Sequence, residues 1–162
     1  MVTRESEERM SRPFFENGNM LVLRGFAFGL VPGAALALLF KAVEFFAGSR
    51  VYTLLLNVDF IPGLGSGQPE WFELTLHLAV SVLIGFLYAI LLGRTGKPWL
   101  PGILLGISPI PLFVPLTQLA VSAKTPVLSD VTAMIWWIAG HLLYGVILAA
   151  LGTKALQASK KE

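Results

Sequence analysis

Four long apolar stretches constrain the fold more than any other feature of the sequence. A helix needs about 20 predominantly apolar residues to cross a hydrocarbon layer ~30 Å thick. The chain meets that length four times, at residues 20–46, 71–92, 99–121 and 131–151. Only 14% of the 162 residues are charged, too few to cover a water-soluble globule, since roughly 25% is usual in a soluble domain. The sequence therefore predicts an all-α integral membrane protein with four transmembrane helices.

The segments outside these spans are too short to form a second domain. Residues 1–19 mix arginine with glutamate and have little to bury, so they are predicted to be an N-terminal tail, and residues 155–162 a C-terminal tail. The transmembrane domain is predicted over residues 20–154. The first apolar stretch has full span length and ends in charged residues, unlike a cleavable signal peptide, so we expect it to remain as an anchor.

The basic residues predict the orientation of the helices. Nine of the 12 lysine and arginine residues lie on one side of the four spans. Positively charged flanks are retained in the cytoplasm, so both termini are predicted to be cytoplasmic and the 48–70 loop to lie outside. The net charge of +2 is too small to indicate nucleic-acid binding. The absence of cysteine excludes disulfides and thiolate chemistry. The four apolar spans imply the lipid bilayer as the first partner of the protein.

The chain also aligns with itself. Three residues of the first span recur in the third at a constant offset of 77, in the pairs Gly25 and Gly102, Gly29 and Gly106, and Pro32 and Pro109. His77 in the second span matches His141 in the fourth at an offset of 64. This pattern predicts two repeated helical hairpins related by an axis along the membrane normal. The alternative is chance similarity between apolar helices of simple composition.

Glycines spaced four residues apart predict close helix packing in both halves. They are Gly25, Gly29 and Gly33 in the first span and Gly102 and Gly106 in the third. Small residues one turn apart let two helix backbones approach without side chains between them. We expect these faces to pack within the chain, with a homo-oligomer interface as the alternative.

Three prolines inside the third span predict a break in its helix. They are Pro109, Pro111 and Pro115. An interior proline removes a backbone donor and clashes with the preceding turn, so residues 108–116 are expected to be kinked, irregular or broken. The break is either a hinge or part of the lining of a site, with a static kink that fits the third span around the first as the alternative. The carbonyls that it frees need protein or water partners.

Polar residues gather toward the outer ends of the spans, namely Lys41, Glu44, Glu73, His77 and Gln118. The first two are three residues apart and the next two are four apart, so we expect two local pairs. Ionisable groups in membranes usually face protein or water, which predicts an outward-facing polar cavity for a small ligand, an ion or a partner's segment. The alternative is that the charged members simply extend into the headgroup zone.

The loop between the first two spans begins with an apolar segment, residues 52–60, which is unusual for a free loop. It is expected to form either an interfacial helix or a re-entrant lid over the outer end of the bundle.

His141 lies about ten residues into the fourth span, which places it ~15 Å deep, near the bilayer centre. We expect a neutral imidazole that is hydrogen-bonded across to Ser108 or to a carbonyl freed by Pro109 or Pro111. Ligation of one haem iron by His77 and His141 is the alternative. The two rings are expected to differ by ~6 Å in depth, which makes that arrangement awkward. The sequence predicts no other metal site or cofactor.

The stretch GHLLYG at residues 140–145, together with the glycine-rich first span and the basic turn at residues 93–98, resembles small four-span bacterial membrane proteins of the YagU and YqhR kind. The similarity covers about residues 20–154, and Ser81 stands where the repeat would place a glycine. The resemblance implies a bacterial cytoplasmic membrane and supplies no catalytic residue.

The sequence contains no nucleophile and base set, no phosphate-binding loop and no zincin helix. The leading expectation is therefore a non-enzymatic binding or accessory component of the membrane, within a complex or a homo-oligomer. A small transporter or channel that uses the outer polar residues is the second hypothesis. A haem-bearing membrane subunit is the third.

Overall fold

The computed structural model describes residues 18–64, 67–121 and 124–159. Within these ranges all regular structure is helical, and no strand occurs. Four helical segments are long and apolar enough to cross a membrane, which confirms the predicted all-α class with four candidate spans. The predicted N-terminal tail lies outside the described residues except for residues 18 and 19, which begin the first helix.

In chain order the helices are α1 (Gly18–Ala47), α2 (Val51–Leu56), α3 (Glu70–Thr95), α4 (Trp99–Ile107), α5 (Phe113–Leu119) and α6 (Val131–Ser159), with a 3₁₀ turn at Ile110–Leu112. The end of α6 differs from the prediction, because the helix continues past residue 151 into the expected C-terminal tail. Its last turns contain the strong helix formers alanine, leucine, lysine and glutamine, and no proline stops it. Residues 160–162 lie outside the described residues.

Two pairs of long helices form the bundle. α1 packs on α3, α4 packs on α6, and contact between α1 and α6 joins the two pairs. Glycines lie at the closest approaches: a Cβ on Gly29 would overlap the backbone of Ser81 and Val82, and one on Gly106 would lie 2.5 Å from Cα of Gly145. The predicted glycine faces therefore pack within the chain, and the absence of side chains lets the backbones meet.

The third span is broken where its prolines lie. α4 ends at Ile107, and α5 begins six residues later at Phe113, after the 3₁₀ turn. The carbonyl oxygen of Pro109 accepts a hydrogen bond from Nε1 of Trp137 at 3.4 Å. The same oxygen accepts from the backbone N–H of Leu112 at 3.0 Å. The 3₁₀ turn and the neighbouring helix α6 thus both supply partners that an interrupted helix requires at membrane depth.

An aromatic cluster fills the space where α1, α5 and α6 meet. The ring of Trp137 lies 5.8 Å from that of Phe40, 6.1 Å from that of Phe113 and 4.4 Å from that of His141, between centroids. All four side chains are buried. The outward faces of the long helices are apolar and exposed, which is typical of a surface that contacts lipid or another protein.

The short helix α2 is folded inward against one end of the bundle, here called the α2 end. Val51 and Leu54 are fully buried, and the helix packs on α1, α3 and α6. The apolar character of this loop is therefore explained by burial against protein. Its position over the helix ends is that of a lid.

Candidate binding site

A cleft of about 530 Å³ opens at the α2 end. Four carboxylates line it, from Glu44 on α1, Asp59 in the following loop, and Glu70 and Glu73 on α3. Lys124 lines it as well. A concave surface with this excess of one charge sign concentrates ions of the opposite sign, and we call it the acidic cleft.

Glu44 holds α2 in place on one wall of the acidic cleft. Its carboxylate accepts a hydrogen bond from the backbone N–H of Thr53 at 2.9 Å and another from the Thr53 hydroxyl at 2.7 Å. Thr53 lies in the first turn of α2, where backbone N–H groups have no partner within the helix. The carboxylate therefore acts as a cap supplied by a different helix.

Glu70, at the start of α3, stabilises a second wall of the acidic cleft. It accepts a hydrogen bond from the hydroxyl of Tyr52 at 2.7 Å and forms an ion pair with Lys41. Burial, reinforced by the hydrogen bond to Glu70 and by that negative charge, raises the pKa of the Tyr52 phenol above its ordinary value. Tyr52 therefore stays protonated and continues to donate to Glu70.

The local pairs expected from sequence spacing are not the ones that form. Lys41 bonds Glu70, Glu44 bonds Thr53, and His77 bonds the carbonyl oxygen of Gly33 on α1. The prediction was wrong because it considered each helix alone. The inward-folded α2 and the start of α3 bring partners from distant sequence positions, and these replace the neighbours on the same helix.

Glu73 differs from the other carboxylates of the acidic cleft. It is half-buried, and among the described residues it accepts no hydrogen bond. Several donors near it are already engaged, since Tyr52 donates to Glu70 and Asn57 Nδ2 donates to Asp59 at 2.9 Å. The cleft thus presents acceptors to a ligand. Gln118, which was predicted to join this polar group, is exposed and does not line the cleft.

A second cavity of about 130 Å³, here called the inner cavity, lies one helical turn along α3 from the acidic cleft and is open at the apolar outer surface beside the exposed side chains of Val80 and Leu112. Its polar lining consists of His77, Ser81, Trp137, His141 and Tyr144, and apolar side chains complete the wall.

The same two elements, α2 and α3, contribute lining residues to both cavities. On α3, Glu73 lines the cleft and His77, one turn further, lines the inner cavity; on α2, Leu56 lines the cleft and Leu55 the inner cavity. The short helix α2 and one turn of α3 therefore separate them.

The two histidines line the same cavity but bond different backbones. Nε2 of His77 donates to the carbonyl oxygen of Gly33 at 3.2 Å, and Nδ1 of His141 donates to that of Trp137 at 2.8 Å. The expected bond from His141 across to Ser108 or to the broken span is not made. The indole of Trp137, one turn earlier on α6, reaches Pro109 instead, and His141 turns back to its own helix.

The geometry does not suit a haem between the two histidines. Pockets for drug-sized ligands have volumes of about 300–1,000 Å³, and the inner cavity is much smaller, at about 130 Å³. Within the described ranges no group of three or more histidine, aspartate or glutamate side chains is arranged to hold a metal ion.

Several residues of both cavities were not anticipated. Tyr52, Asp59 and Glu70 come from the 48–70 loop and its end, where the sequence offers composition but no helical register. Ser81 and Tyr144 lie inside apolar spans, and their mutual hydrogen bond of 3.0 Å shows that α3 and α6 meet. Polar residues at equivalent depths of different spans were the signal available for this second pair.

Comparison of the chain with protein-family models, with characterised proteins and with solved structures gave no match.

Proposed function

We propose that the protein is a non-enzymatic component of the bacterial cytoplasmic membrane that binds a cationic group of a partner protein in the acidic cleft. The observation that carries the proposal is the convergence of four carboxylates on one cleft of about 530 Å³. A cleft of this size admits a lysine or arginine side chain together with part of its backbone.

The distribution of donors supports a cationic ligand. Tyr52, Thr53 and Asn57 direct their side-chain donors to carboxylates of the cleft, and Lys41 is paired with Glu70. A lysine ammonium or an arginine guanidinium supplies donors only. It therefore complements a lining in which four carboxylates outnumber the basic group of Lys124. Glu73, which accepts no hydrogen bond from the described residues, is the first group that we assign to the ligand.

The orientation belongs to the same proposal. Nine of the 12 basic residues lie on the side of the spans that carries both termini, and such flanks are retained in the cytoplasm. The α2 end and the acidic cleft then face outward, toward the segment of a partner that lies outside the cell membrane.

The internal repeat also belongs to the proposal. At offsets of 77 and 64, Gly29 and Ser81 of the first hairpin correspond to Gly106 and Gly145 of the second. These equivalent pairs lie at the closest approach of their respective hairpins. This agreement supports an origin by duplication, with α2 and the acidic cleft as additions to the first half.

Binding of a basic peptide to the protein in lipid nanodiscs tests the proposal. Tetralysine is the probe and tetraglutamate the control peptide, with affinity measured by calorimetry at low and high salt. We expect binding of tetralysine alone, weakened by salt and by Glu73→Gln. Asp130→Asn is the matched control variant, since Asp130 caps the start of α6 by accepting from the Ala133 N–H and does not line the cleft. Equal affinity of Glu73→Gln and the native chain for tetralysine would refute the assignment.

A small transporter is the second candidate, favoured by the presence of a second polar cavity one helical turn along α3 from the acidic cleft. A solute that passes α2 would meet His77 one helical turn beyond Glu73. Flux of a small neutral solute such as urea into proteoliposomes, compared between the native chain and His141→Ala, tests this candidate. A flux that equals that of protein-free liposomes removes it.

A further inference from the structure

The polar side chains that line the inner cavity donate their hydrogens to other protein atoms, so they offer hydrogen-bond acceptors to a ligand. Ser81 Oγ donates its single hydrogen to the carbonyl oxygen of Gly29 at 2.7 Å. The 3.0 Å hydrogen bond between Ser81 and Tyr144 is therefore donated by the Tyr144 hydroxyl, because a serine hydroxyl has only one hydrogen. The Tyr144 oxygen is left with lone pairs alone.

The two imidazole rings also donate to protein atoms and keep one acceptor each. His77 donates through Nε2 and His141 through Nδ1, each to a backbone carbonyl. In a neutral ring the other nitrogen is an acceptor, so Nδ1 of His77 and Nε2 of His141 each retain a lone pair. No described residue donates to either atom, although only 3% of the His141 surface is exposed. The remaining polar side chain of the wall, Trp137, donates its N–H to Pro109.

The charge of the wall restricts the ligand further. Among the described residues no carboxylate lines the inner cavity, in contrast to the acidic cleft. A cation held there would lose its water without gaining a counter-charge, which is costly at membrane depth. A neutral hydrogen-bond donor meets no such cost.

From these contacts we infer that the inner cavity is a binding site for a small neutral protic solute, either water or ammonia, which donates hydrogen bonds to His77, His141 and Tyr144. The volume of about 130 Å³ corresponds to roughly four water molecules at about 30 Å³ each. This inference is independent of the cationic ligand proposed for the cleft.

Nuclear magnetic resonance of the protein in lipid bilayers tests the site. The chain contains two histidines, so labelling histidine with ¹⁵N reports only these rings, and one substitution assigns them. Two probes are used: magnetisation transfer from water to the ring nuclei, and ammonium chloride at alkaline pH, where neutral ammonia is present. Potassium chloride is the control salt, because potassium has a similar size to ammonium and donates no hydrogen bond.

Transfer from water to both rings identifies water as the solute, and a shift of the two acceptor nitrogens with ammonium chloride alone identifies ammonia. Either result supports the site. Ile84→Phe, which fills the cavity wall without removing a polar group, is expected to abolish the signal, whereas Leu83→Phe on the exposed face is expected to retain it. The inference is overturned if the native protein shows neither magnetisation transfer from water nor a shift with ammonium chloride, or if potassium chloride gives an equal shift. This outcome does not depend on whether the variants fold.

Discussion

Glu44 accepts two hydrogen bonds from Thr53, one from its backbone N–H at 2.9 Å and one from its hydroxyl at 2.7 Å. This contact joins the last turns of α1 to the first turn of α2. Since α2 separates the acidic cleft from the inner cavity, one carboxylate positions a wall of both.

Replacing Glu44 with alanine should loosen α2 while the four long helices persist. Hydrogen bonds to a charged acceptor contribute about 1.5–3 kcal/mol each, and the Thr53 N–H would lose its acceptor. We expect faster hydrogen exchange at the Thr53 amide, measured by mass spectrometry of the protein in nanodiscs. Glu73→Ala is the control, because Glu73 accepts no hydrogen bond from the described residues. Unchanged exchange at Thr53 in Glu44→Ala would contradict the capping role.

Tyr52 should ionise only at strongly alkaline pH. Its folded-state pKa is raised by burial and by the hydrogen bond to Glu70, above the unfolded value of about 10. The stabilisation from the neutral phenol is therefore complete below about pH 10 and is lost as the pH rises through the higher folded-state pKa. Absorbance titration of the native protein against Tyr52→Phe isolates this group. Ionisation of Tyr52 at the ordinary tyrosine pKa would show that the bond to Glu70 is absent.

Substitution of Gly29 should disrupt the contact between α1 and α3. A Cβ at this position overlaps the backbone of Ser81 and Val82, which cannot move aside as a side chain does. We expect Gly29→Ala to lower the free energy of unfolding by about 1–3 kcal/mol, as overpacking does, measured by circular dichroism in mixed detergent micelles. Gly18→Ala is the control, because within the described part of the chain a Cβ at that position meets no atom of another helix within 4 Å. Equal stability of the two variants would argue against close packing at Gly29.

Trp137→Phe should destabilise the break in the third span. The substitution retains an aromatic ring in the cluster but leaves the carbonyl oxygen of Pro109 without the indole donor. The backbone N–H of Leu112 still donates to that oxygen at 3.0 Å, so we expect the net loss of one hydrogen bond, about 0.5–1.5 kcal/mol. Trp136→Phe, at a half-buried position on the same helix, is the matched control for the loss of an indole. The free energy of unfolding is measured for both variants by circular dichroism in mixed detergent micelles. An equal loss in Trp137→Phe and Trp136→Phe would contradict the prediction.

The sequence predicted the helices better than it predicted their polar contacts. Span length and hydropathy are properties of contiguous residues, so the four long helices could be located directly, and the prolines marked the interruption between α4 and α5. The partner of Lys41 is 29 residues away in the sequence, on α3. Spacing along one helix contains no information on such a contact.

The histidines illustrate the same limit. Both were identified as buried polar groups that need partners, but the partner of His141 depends on the neighbouring Trp137 reaching Pro109 first. Competition of this kind is decided by packing in three dimensions. The acidic cleft likewise depends on α2 folding inward, which brings Thr53 to Glu44 and Tyr52 to Glu70.

The glycine contacts have a consequence for biosynthesis. Gly25 and Gly29 meet their partners on α3 within the first 95 residues, so the glycine contacts between α1 and α3 can form before α4 leaves the ribosome. The second hairpin carries its own pair, Gly102 and Gly106, against α6. The chain can therefore enter the membrane as two successive helix pairs, and the docking of α6 onto α1 and α3 has to wait for the end of translation.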